Sequence, residues 1–186
     1  MLQGLYEKGV EMGKNIVLIG FMGTGKSTVG SKLAEKLGMN FVDMDREIEN
    51  LTGLTINDLF RRHGEIRFRS EEGLMVKKLG QQANLVIASG GGVVLKSENV
   101  QTLRKNGILI LLEANPEDIY KRVSRKKGTR PLLKKNLVVK DIADMLQQRE
   151  PYYACADFRV NTSDRELNEI VREIVGIVHP LRNKNC

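Results

Sequence analysis

The sequence predicts an α/β fold with a parallel sheet, and two observations carry that prediction. Short apolar runs alternate with stretches of helical periodicity along most of the chain, in the order expected of successive βαβ units. The runs themselves do not alternate apolar with polar residues, which is the pattern of strands buried on both faces.

The first run, Asn15 to Gly20 (NIVLIG), is rich in β-branched residues and ends in glycine. Ser27 to Leu37 then places Val29, Leu33, Ala34 and Leu37 on one helical face, and Gly38 supplies a stop. Phe41 and Val42 form a second brief strand, followed by helical patterns over 46–51, 56–62 and 65–79. Asn84 to Ser89 (NLVIAS) and Gly107 to Leu112 (GILILL) read as the third and fourth strands. Pro116 fits the first turn of the next helix, where Glu117 and Asp118 suit the positive end of its dipole, and this helix is expected to reach Ser124. Gly128, Thr129 and Pro131 break the pattern before a helix resumes over 139–153. Phe158 to Asn161 completes the strands, and Leu167 to Val178 the helices. No internal repeat or low-complexity linker interrupts this order.

The 186 residues fit one domain, taken as 15–181 behind an N-terminal extension of residues 1–14. The formal net charge of +7 is unevenly placed: Lys121 to Lys140 holds nine basic residues and no acid, while the rest of the chain sums to −2. A property of one segment, rather than of the whole surface, argues against a general nucleic-acid binder. Cys155 and Cys186 form neither a disulfide framework nor a CxxC metal site, so a reducing, cytoplasmic setting is expected. No apolar run approaches the roughly 18 residues of a membrane span, and Glu7 and Glu11 stand where an export signal would be apolar.

Gly20 to Ser27 (GFMGTGKS) matches G-x-x-x-x-G-K-[ST] between a predicted strand and a predicted helix, the context in which that pattern cradles phosphate. Glycines let backbone N–H groups converge on phosphate oxygens, and the helix N-terminus adds partial positive charge. Gly23, Thr24, Gly25, Lys26, Ser27 and Thr28 are therefore the expected ATP-binding residues. Lys26 is to reach the β and γ phosphates and Ser27 to ligate Mg²⁺. The N-K-x-D and D-x-x-G motifs of a GTPase are absent. The third strand runs into glycines where a motor ATPase would carry an acid. A small kinase remains.

Asp43 and Asp45 follow the second strand as D-x-D and, if the chain stays extended, point the same way at the carboxyl end of the sheet. One acid can hold a magnesium-bound water while the other accepts a proton from an attacking hydroxyl. The plainer reading is a pair of acids capping the helix at 46–51.

Together these motifs resemble the shikimate kinase family. The resemblance runs over about residues 15–161 and rests on ordered motifs: GFMGTGKST, FVDMDREIE, GEIRFRSEE, SGGG at 89–92, TRPLL at 129–133 and REPYY from 149. It implies ATP-dependent phosphorylation of the 3-hydroxyl of shikimate, in chorismate and aromatic amino-acid biosynthesis. It also implies a three-layer P-loop kinase fold with a five-stranded parallel sheet and a mobile lid at about 125–138. Carried over by residue, Asp45 binds the acceptor hydroxyls and is the candidate base, while Asp43 contacts Mg²⁺ through water. Arg69 and Arg149 hold the acceptor carboxylate, Gly90, Gly91 and Gly92 let the backbone approach the ring, and Arg130 enters with the lid to reach ATP and acceptor. The acceptor-binding part then spans about 43–72. The family's adenine-stacking basic residue is Lys121 or Arg122, with 161–163 as the neighbouring adenine-contacting segment.

The arginines also make chemical sense, because a planar guanidinium grips a carboxylate through two parallel bonds. Their structural alternatives are a helical pairing of Arg69 with Glu65 or Glu72 and a dipole contact for Arg149. Expected partners are ATP and shikimate for a monomer, with neither nucleic acid nor membrane. The competing readings are a gluconate or nucleoside-monophosphate kinase and, in another class, a P-loop regulatory or nucleic-acid-binding module.

Overall fold

The computed structural model describes residues 13–125 and 138–182. Arg130, with nearly all of the expected lid, and residues 1–12 of the expected extension lie outside them. Five strands form one parallel sheet: β1 (Asn15–Ile19), β2 (Asn40–Asp43), β3 (Leu85–Ala88), β4 (Gly107–Glu113) and β5 (Phe158–Asn161), in the order β2-β3-β1-β4-β5. The glycine loop therefore leaves the central strand, with β3 on one side and β4 on the other.

Successive residues of the central strands point to opposite faces, and each face meets helices. Val17, Ile19, Ile87, Leu109 and Leu111 pack against α2 (Met44–Thr52), α3 (Ile56–Gly80) and α4 (Ser97–Lys105). Ile16, Leu18, Val86, Ile110 and Leu112 pack against α1 (Lys26–Leu37) and α7 (Leu167–Arg182). A smaller cluster joins Phe21 of the glycine loop to Ile119 and Val123 of α5 (Pro116–Ser124) and Ile142 of α6 (Val139–Tyr153). Truncating a fully buried member such as Ile110 to alanine costs about 2–5 kcal/mol.

The helix ends follow the sequence signals. Gly38 closes α1 in the left-handed conformation, and the Asn115 side chain caps α5 by accepting from Asp118 N–H at 2.8 Å. Helix α3 is broken at Gly64 (φ 75°, ψ 176°), which separates the two helical patterns of that region. Two features depart from expectation. A 3-10 turn at Val93–Leu95 and helix α4 follow the third strand, where no helix is expected. The D-x-D does not stay extended: Asp43 ends β2 and caps α2, accepting from the N–H groups of Asp45 and Arg46, so the helix starts at Met44. Two orphan donors of the helix outcompete the extended backbone.

Candidate active site

The glycine loop is shaped by backbone geometry that only glycine adopts easily. Gly25 has φ 97° and immediately precedes α1, so the loop turns directly into the helix N-terminus. Lys26 Nζ donates to the carbonyls of Gly20 and Phe21, each at 2.8 Å, which holds the ammonium over the loop. Thr24 is buried, and its hydroxyl donates to Phe21 O at 2.9 Å. Ser27 and Thr28 are exposed in the first turn of α1. Ser27 Oγ donates to Asp43 Oδ2 at 2.6 Å, bringing together the two residues expected to serve a metal.

Across the end of β3 stands a wall of charge. Asp45 lies in the first turn of α2, half-buried, with Oδ1 enclosed and without a hydrogen-bond partner. Burial, then the nearby Asp43, raises its pKa to about 6; Lys26 opposes the rise, while Glu72 and Glu49 add to it. Arg69 is 12% exposed and forms ion pairs with Glu72 at 2.9 Å and Glu65 at 3.1 Å. The helical pairing foreseen for Arg69 is thus present with both acids. Glu72 is almost fully buried, so this pair differs from an exposed surface bridge. Burial raises the pKa of Glu72, opposed by the charge and hydrogen bond of Arg69 and by the charges of Lys96 and Arg149. Arg149, on α6, is therefore close enough to act on Glu72, and its Nη1 is buried without a hydrogen-bond partner.

Glycine is required where this wall meets the backbone. A Cβ at Gly90 would lie 2.8 Å from Glu72 Oε1 and 3.0 Å from Asp45 Oδ1. At Gly92 it would lie closer still to the Arg69 guanidinium, which would have to move aside. Gly91 instead faces the glycine loop, 3.6 Å from Met22 N.

Lys26, Ser27, Asp43, Asp45, Arg69 and Gly90 to Gly92 thus gather at the carboxyl ends of β1, β2 and β3, where open α/β sheets bind ligands. Glu72 appeared in the sequence only as a possible helical partner of Arg69; its spacing was visible but its burial was not. The two candidates for the adenine contact separate. Lys121 is largely exposed beside Asp118, whereas Arg122 donates to Gly23 O and Thr162. His63 and His179 are exposed. Among the described residues no helix is long and apolar enough to cross a membrane.

A phosphate loop after the central strand of a 2-3-1-4-5 parallel sheet, facing a pocket of acid and guanidinium groups, defines a P-loop kinase for a small acceptor. The family model for shikimate kinase matches residues 22–179. A shikimate kinase from Pelotomaculum thermopropionicum is 49% identical over 92% of this chain and 98% of its own, and one from Caldanaerobacter subterraneus is 46% identical over 92% and 99%. The structure of shikimate kinase from Acinetobacter baumannii in complex with shikimate superposes with a TM-score of 0.85 at 35% identity, covering 91% of this chain and 95% of that one. The chain belongs to the shikimate kinase family.

Proposed function

We propose that this chain transfers the γ-phosphoryl group of ATP to the 3-hydroxyl of shikimate, by in-line displacement. The observation that carries the reading is the pairing of unsatisfied groups beside the phosphate loop. Asp45 Oδ1 can accept a hydroxyl proton, and Arg149 Nη1 can donate to a carboxylate. A polyhydroxy acid offers both partners.

Asp45 orients the attacking hydroxyl and takes its proton as the new O–P bond forms, while ADP leaves. Arg69 and Arg149 grip the acceptor carboxylate, and Gly90, Gly91 and Gly92 admit the ring. Gly23 to Thr28 hold the phosphates, with Lys26 leaving its loop carbonyls for the β and γ oxygens. Arg130 would add positive charge from outside the described residues. Ser27 Oγ and Asp43 Oδ2 are hard oxygen donors, one hydroxyl and one carboxylate, which fits a Mg²⁺ site completed by ATP phosphates and water. When bound, Mg²⁺ neutralises phosphate charge. Dependence on cytosolic ATP supports a cytoplasmic location. The acceptor and phosphate residues all come from one chain, which supports a monomer as the working unit, and the confinement of the excess positive charge to 121–140 speaks against a nucleic-acid partner.

The test is a coupled ADP-release assay with shikimate, gluconate and nucleoside monophosphates as separate acceptors. Turnover with shikimate alone is expected, and preferential turnover of another acceptor would overturn the assignment. A nucleic-acid module would instead bind DNA or RNA with an affinity that falls steeply with salt.

A further inference from the structure

The segment after β5 contributes a buried node that touches the phosphate loop from behind. Thr162 is 2% exposed. Its Oγ1 lies 3.0 Å from Thr24 O and 2.9 Å from Glu113 O, able to donate to one of them, and accepts from Arg122 Nη1 at 3.0 Å. Arg122 Nη1 also lies 3.3 Å from Gly23 O, and Nη2 donates to Thr162 O at 2.8 Å. The Thr162 N–H donates to Glu113 O at 2.8 Å, so the node is fastened to the end of β4. Asn115 N–H donates to Ser163 Oγ at 2.8 Å, which fixes the next residue of the same segment.

The consequence follows from peptide geometry. A trans peptide is planar, so its C=O and the following N–H point in opposite directions. Holding Thr24 C=O toward Thr162 turns Gly25 N–H the other way, while Thr24 N–H is itself tied back to Phe21 O at 3.4 Å. Gly25, at φ 97° and without a side chain, does not hold its own peptide plane, so the hold comes from a neighbouring element. We propose that Thr162, braced by Arg122, is a positioning residue for the nucleotide: it fixes the carbonyl of Thr24 so that Gly25 N–H is aimed at phosphate before ATP arrives. The Thr162 hydroxyl is spent on the backbone of the glycine loop and of β4, so the effect falls on the nucleotide side of the reaction. The inference rests on the glycine loop being the ATP site, as proposed above.

The experiment compares wild type, Thr162→Val, Thr162→Ala and Thr162→Ser in steady-state kinetics and in calorimetric titration with ADP. Valine keeps the shape of threonine and removes the hydroxyl, whereas serine keeps the hydroxyl. Thr162→Val is expected to raise KM for ATP and Kd for ADP about tenfold, the scale of one lost hydrogen bond to a buried backbone group. KM for shikimate should change by less than about twofold, and Thr162→Ser should recover most of the nucleotide affinity. Equal rises in both KM values, unchanged ADP affinity in folded Thr162→Val, or failure of serine to rescue would each overturn the inference. If Thr162→Val does not fold, Thr162→Ala against Thr162→Ser decides the matter: the same loss in both would overturn the inference, and loss in alanine alone would support it. Absence of ADP binding by wild type would instead count against the kinase reading itself.

Discussion

Ser27 Oγ donates to Asp43 Oδ2 at 2.6 Å, joining the first turn of α1 to the last residue of β2. The same carboxylate accepts from two N–H groups through Oδ1, so one side chain both caps α2 and faces the phosphate loop. Replacing it therefore removes a local anchor and an oxygen donor at once. Asp43→Asn should raise the Mg²⁺ concentration needed for half-maximal activity by roughly 10–100-fold, as lost support of a metal site does elsewhere. Titrating activity against free Mg²⁺ at fixed ATP checks this, and an unchanged requirement would place Asp43 outside the metal site.

Asp45 carries a raised pKa of about 6. A base works only when deprotonated, so kcat/KM for shikimate should fall as pH drops below about 6 and level off above it. The pH profile of kcat/KM reads the free enzyme, where burial and Asp43 hold the proton on. Asp45→Asn should keep ADP binding and lower kcat by about 10²–10⁴-fold, the usual worth of a positioned general base. Retained turnover would remove Asp45 from that role.

Arg69 is held in place by Glu65 and Glu72, and its guanidinium approaches the backbone at Gly92. Arg69→Lys should raise KM for shikimate by roughly 10–100-fold while KM for ATP moves little, since a charged hydrogen bond is lost on the acceptor side only. Gly92→Ala, which pushes the guanidinium aside, should shift the same constant. Equal changes in both KM values would make Arg69 a structural residue.

Arg130→Ala should lower kcat by about 10³-fold if this arginine meets the transferring phosphoryl group as an arginine finger does. Single-turnover measurements isolate the step, and an unchanged rate would exclude it.

Much of this architecture was legible from residue pattern. The central strands β1, β3 and β4 are short apolar runs whose faces are both covered, so pattern and burial agree there. The glycine loop announced its own chemistry through spacing. Helix α4 was not legible because its nine residues bury only Asn99 and Leu103, too few to establish a period. For the D-x-D the capping alternative holds rather than the extended one, because strand alternation alone cannot decide between them. Glu72 and Thr162 required the fold itself. Each is an ordinary polar residue in sequence, and its importance comes from groups far along the chain or on another element that close around it.

The strand order has a mechanical consequence for how the protein loses its ligands. β1, which leads into the glycine loop, and its neighbour β4 are buried along nearly their whole length, whereas β2 is a partly exposed edge strand that pairs with β3 alone. Asp45, Arg69 and Glu72 all hang from the chain between β2 and β3, so the proposed acceptor wall is mounted on the looser end of the sheet. Partial unfolding begins where burial is least. As denaturant is raised, affinity for shikimate should fade while the nucleotide is still held, leaving a protein that has lost its acceptor before its phosphate donor.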